Sequence, residues 1–539
     1  MKALLLPVAA LFPLALLALL ALIPAARPRL AGLLWLAPVP GLAAALLAGG
    51  SRAILPAPLP LSLALDRPGA LLLGAAALLW IAAGLAAPAW WGERLKTLPF
   101  TAWWLLTMAG SLAVFMADDL VTFYMTFSLV SLAGYGLVTR EGTRTALRAG
   151  RLYFTLAVLG EAFLLVAFVL LALGAPAGGI GIADAVAALP TSPYRDAALL
   201  FIMLGFGTKL GMVPLHVWMP QAYGAAPFPA AAVLSGAAVK AGVIGLVRFL
   251  PFVAVLPGWG EVIAIAGFAS AFFGAVIGLT QRNPKTILAY SSISQMGFVT
   301  AVAGMALSAG RAAAPLEIAF YGLHHVFAKG GLFLALAAIS LTGSRALRPV
   351  LWPAAIIALG IAGLPFTGGA LAKLAVKDAL GGGIAGALGY LSAVASTVLM
   401  LHFLAETRKT AASDPAARAP WTVLAAWWSM AIAALLLPFL LLPQVGLDLA
   451  KAVDPGTLFD FGWPIAAGAL AYLAWLRLDF KPMLPAGDIL VVLKRLGPLS
   501  GRLSDRLAAA EAWLATWQVA GAALVLLAIL FVGAMALAR

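Results

Sequence analysis

The stretch GTKLGMVPLHVWMPQAYGAAPFPAAAVLSGAAVKAGVIGLVRF, residues 207–249, decides how the chain is read. It is mostly apolar, yet it holds Lys209, His216 and Lys240, and Pro214 and Pro220 interrupt it. A charged side chain at mid-bilayer costs about 2.5–3.5 kcal/mol on insertion scales. Lysines persist in such a stretch where the helix is broken and wet, or where the charge is used.

The rest of the chain sets the class. Of 539 residues, 64% are hydrophobic and 10% are charged, against roughly 25% charged in a soluble domain. Apolar runs of about 20 residues recur along the whole length. They are too long for barrel strands, so the expected fold is all-α, a polytopic membrane protein. Candidate spans are 3–25, 30–49, 70–92, 99–117, 119–138, 152–174, 195–218, 228–249, 259–280, 286–307, 315–342, 351–376, 380–405, 420–442, 462–477 and 515–537. This predicts about 14–16 transmembrane helices, the fifteenth the shortest. The first apolar run exceeds the core of a signal peptide, about 7–15 residues, and reads as a retained helix. With no cysteine, a disulfide, a thiolate metal site and an iron–sulfur cluster are excluded. No cofactor site is expected in this chain.

The net charge of +14 does not imply a nucleic-acid partner, because the basic residues fall in alternate loops. They are Arg27 and Arg29, Arg94 and Lys96, Arg140 to Arg151, Arg282 and Lys285, Arg345 and Arg348, Arg408 and Lys409, and Lys481 to Arg506. Asp118, Asp119, Asp184, Asp448 and Asp454 lie in the loops between. Basic loops mark the cytoplasmic side. The expectation is a bacterial inner (plasma) membrane protein with its N-terminus outside. The basic segment 478–513 is expected along the cytoplasmic surface.

Two spans are interrupted. The seventh contains Pro214 and Pro220, and the twelfth contains GIAGLPFTGGALAK, with Gly363, Pro365, Gly368 and Gly369. They lie five spans apart, which points to two five-helix repeats of inverted topology. The expected units are N-terminal helices 1–98, repeats 99–249 and 250–405, and C-terminal helices 406–539.

Ionisable residues inside spans are functional candidates. Glu161 is near the middle of span six, Lys209 is just before the break in span seven, and Lys240 is mid-span eight. His325 and Lys329 are four apart in span eleven and share a helix face. Lys373 follows the break in span twelve. Secondary candidates are His324, His216, Lys377, Asp378, His402 and Glu406. Burial disfavours a lysine's charged form and a nearby carboxylate favours it, so a lysine poised between them exchanges its proton when a neighbouring charge moves. Histidine titrates near neutral pH and can relay between such groups. Lysines and histidines across mid-membrane, beside broken helices, suggest proton transfer.

These residues resemble a known family, the antiporter-like proton-translocating subunits of respiratory complex I. Its relatives occur in membrane-bound hydrogenases (hydrogenase-4 and formate hydrogenlyase type) and multisubunit sodium/proton antiporters. The resemblance runs from about residue 100 to 405 and rests on the opening stretch, NPKTILAYSSISQMGF, HHVFAKGGLFL and GLPFTGGALAK. By position it implies a central lysine at Lys209, a relay through Lys240, His325 and Lys329, and an exit at Lys373. It implies partner membrane subunits with a redox module (iron–sulfur, hydrogenase or quinone), and protons or sodium as the ion. The other readings are an antiporter subunit, a proton-conducting partner that drives an attached module, and a structural subunit that no longer pumps.

One position departs from the family. Its helix-five glutamate, partner of the central lysine, falls on Ser128 in FYMTFSLVSLAGYGL. The nearest carboxylate is Glu161 in the next helix, which is expected to face inward and replace it.

Overall fold

The computed structural model describes residues 2–55, 61–176 and 179–478, together with residues 484 and 509. Fourteen helices among them are long and apolar enough to cross a membrane. They are α1 (Lys2–Leu22), α2 (Pro24–Leu47), α3 (Arg67–Lys96), α4 (Leu98–Met116), α5 (Leu120–Val138), α6 (Arg144–Gly174), α7 (Arg195–Ala225), α8 (Phe228–Phe249), α9 (Pro257–Gly278), α10 (Pro284–Ala309), α11 (Ala314–Ser340), α13 (Gly383–Arg408), α14 (Trp421–Val445) and α15 (Pro455–Leu476). Between α11 and α13, α12 is built of two shorter helices, Arg348–Ala362 and Gly368–Leu380. The chain is a multi-pass, all-α membrane protein. The expected sixteenth span, 515–537, lies outside the described residues, as does the segment 478–513 apart from residues 478, 484 and 509.

Polar residues at the helix ends set the boundaries. Asp119 accepts from the Thr122 amide at 2.7 Å to open α5, and Thr143 accepts from Ala146 at 3.1 Å to open α6. These caps satisfy amides that have no partner within the helix. They also explain two corrections. The Thr143 cap starts α6 eight residues before the expected 152, so its first two turns are arginine-rich. Asp454 caps α15 through the Gly456 and Thr457 amides, so the helix expected to be shortest has 22 residues. Prolines at 24, 28, 38 and 40 divide α2 into short segments.

Contacts between loops divide them into two faces. Arg248, at the end of α8, donates to the Phe115 carbonyl at 2.7 Å, to the Ala117 carbonyl, and to Asp66 at 3.0 Å. This joins the end of α8 to the end of α4 and the start of α3. Arg311 lies 3.9 Å from Asp378, so the loop after α10 meets the end of α12 on that same face. On the other face, Lys285 donates to the Ala226 carbonyl at 2.9 Å, His402 Nε2 meets the Gln281 carbonyl at 2.7 Å, and Gly343 donates to Ala417 at 2.9 Å. The partition matches the alternation expected from the clusters of basic residues.

At the centre, α8 and α11 are buried along their whole apolar length. Helices α9 and α10 pack backbone to backbone. A Cβ at Gly267 would come 2.4 Å from the Ala301 nitrogen, and one at Gly304 would come 2.5 Å from the Ala264 nitrogen. Small residues permit such approach where lipid leaves packing to hold helices together.

Candidate functional site

Lys209 occupies the last turn of the first half of α7, Arg195–Leu210. The helix stops because Gly211 takes a left-handed conformation, with φ 72°, which a side chain would oppose. The second half resumes at Trp218. Trp218 Nε1 donates at 2.9 Å to the Thr208 carbonyl, which at the broken helix end also accepts from the capping Gly211 amide at 3.3 Å. Lys209 is buried, and its Nζ donates to Ser131 Oγ on α5 at 2.9 Å. The ammonium stands 5.6 Å from the centre of the Phe127 ring, a favourable cation–π placement. The Ser131 carbonyl accepts from the Tyr153 hydroxyl at 2.7 Å. Together with Thr208 and Trp218 these groups line a cavity of about 10 Å³, close to the space one water needs.

Glu161 is 6% exposed, so its side chain points into the bundle and away from lipid. It sits beside Ser128 of α5 and in the neighbourhood of Lys209. Its Oε1 has no hydrogen-bond partner among the described residues. The helices carrying the two charges approach closely, and a Cβ at Gly205 would come 3.1 Å from the Gly160 carbonyl oxygen.

The row continues across α8. Lys209 Cβ would stand 3.4 Å from a Cβ at Gly242, two residues beyond Lys240. Lys240 itself is 0% exposed, and its Nζ lies 2.8 Å from His325 Nδ1 on α11. A π-helical turn, Leu234–Ala238, precedes it. Such turns widen a helix by one residue and are frequent at functional sites. Lys329, also 0% exposed, donates to the Leu288 carbonyl at 3.1 Å. That carbonyl also accepts from Ser292 at 3.0 Å, and Ser292 Oγ lies 3.2 Å from Ser235 Oγ in the π turn. Tyr321, His325 and Lys329 recur every four residues, so they share one face of α11. Tyr321 bonds to Gln295 on α10, whose amide donates to Ser396 on α13 at 3.0 Å.

At the far end, His324 packs against the break in α12. A Cβ at Gly368 would come 3.1 Å from His324 Cδ2, and one at Gly369 3.1 Å from Cε1. The first half of α12 ends at Gly363, with φ 109°. Lys373 lies against it, its Cδ 3.0 Å from a Cβ placed there, with Nζ 5.5 Å from the Phe298 ring centre.

The remaining candidates fall elsewhere. His216, near the end of the expected span 195–218, lies buried instead in the linker of the α7 break, edge-on to Phe273 at 4.8 Å. The span then runs on to Ala225, because Pro220 stands in the first turn of the second half, where amides need no acceptor. Lys377 pairs with Asp460 at 2.5 Å, and Asp378 lies beside Arg311. Glu406 pairs with Lys409 at 2.6 Å and not with His402. Sequence reasoning missed Ser131, Gln295, Tyr321 and the π turn. Serine, glutamine and tyrosine in a span carry no charge penalty and so raise no signal. Among the described residues no three His, Cys, Asp or Glu side chains gather to hold a metal.

What the arrangement offers is proton exchange. Lys240 and His325 share a hydrogen bond in which one nitrogen must donate and the other accept. Deep burial makes two positive charges there costly, so a proton held by one disfavours a proton on the other.

Residues 117–400 match the family described as NADH:quinone oxidoreductase/Mrp antiporter, TM. The chain is 32% identical over 244 residues to hydrogenase-4 component B of Escherichia coli, covering 43% of this chain and 36% of that protein. It is 31% identical over 355 residues to NADH-quinone oxidoreductase subunit N of Deinococcus radiodurans, covering 62% and 70%. The fold matches a chain of the Mrp complex from a Dietzia species with a TM-score of 0.72 at 24% identity, covering 98% of this chain and 63% of that one. The chain thus spans little more than a third of the length of hydrogenase-4 component B. With more than half of its residues inside the family profile, the chain belongs to the NADH:quinone oxidoreductase/Mrp antiporter transmembrane family.

Proposed function

We propose that this chain moves protons across a membrane as one subunit of a larger, redox-driven complex. The observation that carries the reading is the direct Lys240–His325 contact at 2.8 Å inside a fully buried row. Buried cations are costly, and a row of them is retained where protons move along it. Lys209 is the switch, answering to Glu161. Lys240, His325 and Lys329 are the lateral relay, and Lys373, next to His324, leads to one face. The two breaks, each ended by a left-handed glycine five spans apart, support inverted repeats over 99–249 and 250–405. The basic loops support an N-terminus outside a bacterial inner membrane.

The chain's own part is ion movement, so its partners are other membrane subunits and a module carrying the iron–sulfur, hydrogenase or quinone chemistry. The family description also names antiporters, so exchange of protons for sodium is the second reading. Proton uptake by inverted native-membrane vesicles tests the first. Lys209→Ala is expected to abolish uptake while the complex remains assembled. Uptake at the original rate in the assembled variant would overturn it. Mass spectrometry of the co-purified subunits separates a redox complex from an antiporter.

A further inference from the structure

A cavity of about 330 Å³ lies between the second half of α12 and α13. Its volume is about ten times that of a water molecule in the liquid. Lys373, 7% exposed, lines its inner end, and Lys377, one helical turn further on, lines its outer part. The opposite wall is α13, where Gly386, Gly389 and Ala393 leave the space open. An ion pair stands at the mouth. Lys377 Nζ donates to Asp460 Oδ2 at 2.5 Å, with the carboxylate supplied by α15 and Tyr390 of α13 beside it. The next charged groups are Asp378 and its neighbour Arg311. Asp460 lies outside the residues that match the family.

We propose that the Lys377–Asp460 ion pair is the gate of this cavity, opening and closing water access to Lys373 from the membrane face that carries the α12–α13 loop. The proposal rests on Lys373 belonging to the ion path. The Lys377 and Asp460 side chains are 43% and 31% exposed. A pair so placed is weakly held, so it opens readily and closes again without unfolding its helices. When open, Lys377 swings clear and water reaches the ammonium of Lys373. When closed, the salt bridge and the Tyr390 ring cover the mouth.

The chain has no cysteine, so one introduced thiol reports alone. Ala393 lines the cavity and is 5% exposed, whereas Ala358 on α12 is 0% exposed and away from it. The assembled complex is treated in native-membrane vesicles with a small, charged, membrane-impermeant methanethiosulfonate. Ala393→Cys is expected to react from the face of the α12–α13 loop only, and Ala358→Cys from neither. Ala387→Cys, at the exposed mouth, reacts in any correctly folded protein and controls for folding. Adding Asp460→Asn or Lys377→Gln to Ala393→Cys is expected to raise the rate by about threefold or more. Silence of Ala393→Cys from both faces, with Ala387→Cys reactive, would overturn the water access. An unchanged rate in both gate variants would overturn the gate. Thiol reactivity reports water access and not proton movement, so failure here is distinct from failure of Lys209→Ala to stop proton uptake.

Discussion

Lys240 Nζ and His325 Nδ1 stand 2.8 Å apart, and both residues are closed off from solvent and lipid. They lie 85 residues apart in the chain, on the two most deeply buried helices of the bundle. The contact makes a single proton-sharing unit of two groups that are costly to bury singly.

Removing either partner is expected to break the row. His325→Ala and Lys240→Ala should each lower proton uptake by about tenfold or more. If the two act as a unit, the double variant should be little worse than either single one. Vesicle uptake rates normalised to assembled complex give the comparison, and simple multiplication of the two losses would argue that they act separately.

Glu161 is expected to act on Lys209 through its charge. Glu161→Gln keeps the shape and removes the charge, and should lower uptake by about tenfold or more. Ser128 lies beside Glu161, so Ser128→Glu combined with Glu161→Ala returns a carboxylate from α5. That double variant should recover a substantial part of the activity. Failure to recover, in a complex shown to assemble, would mean that Glu161 acts in some way other than by its charge.

The α9–α10 contact has no space for a side chain at Gly267, where a Cβ would meet the Ala301 backbone at 2.4 Å. Gly267→Leu should destabilise the bundle by about 1–3 kcal/mol through overpacking. The thermal unfolding midpoint of the detergent-purified protein should fall, and a midpoint equal to the parent's would show that the helices part without strain.

Arg248 holds the end of α4 by donating to the Phe115 and Ala117 carbonyls, and it also reaches Asp66. Arg248→Ala leaves those carbonyls without their donor, with an expected loss of about 1–3 kcal/mol. Arg248→Lys should rescue little, because one ammonium cannot reproduce the planar fork of donors. The same thermal midpoint, measured for both variants, provides the check.

Much of this protein was readable along the chain. Apolar runs too long for strands determined the helices, since a backbone in lipid must satisfy its own hydrogen bonds. Alternating basic loops determined which loops share a face, and Arg248, Lys285 and Arg311 join loops as that alternation requires. The breaks were visible because proline and glycine carry their backbone constraints with them, and Lys209, Lys240, Lys329 and Lys373 stood out because charge in an apolar run is costly. Tertiary structure alone decided which of these groups meet. Spacing put His325 on one helix face with Lys329, but only packing bonds His325 to Lys240 and sets His324 against the α12 break, since adjacent helical residues point in different directions. Nor does local sequence pair Lys209 with Ser131, or Lys377 with Asp460, because such contacts depend on how helices rotate and pack. That rotation is set by the summed fit of many side chains, such as the glycine contacts of α9 and α10, and no single stretch of sequence contains it.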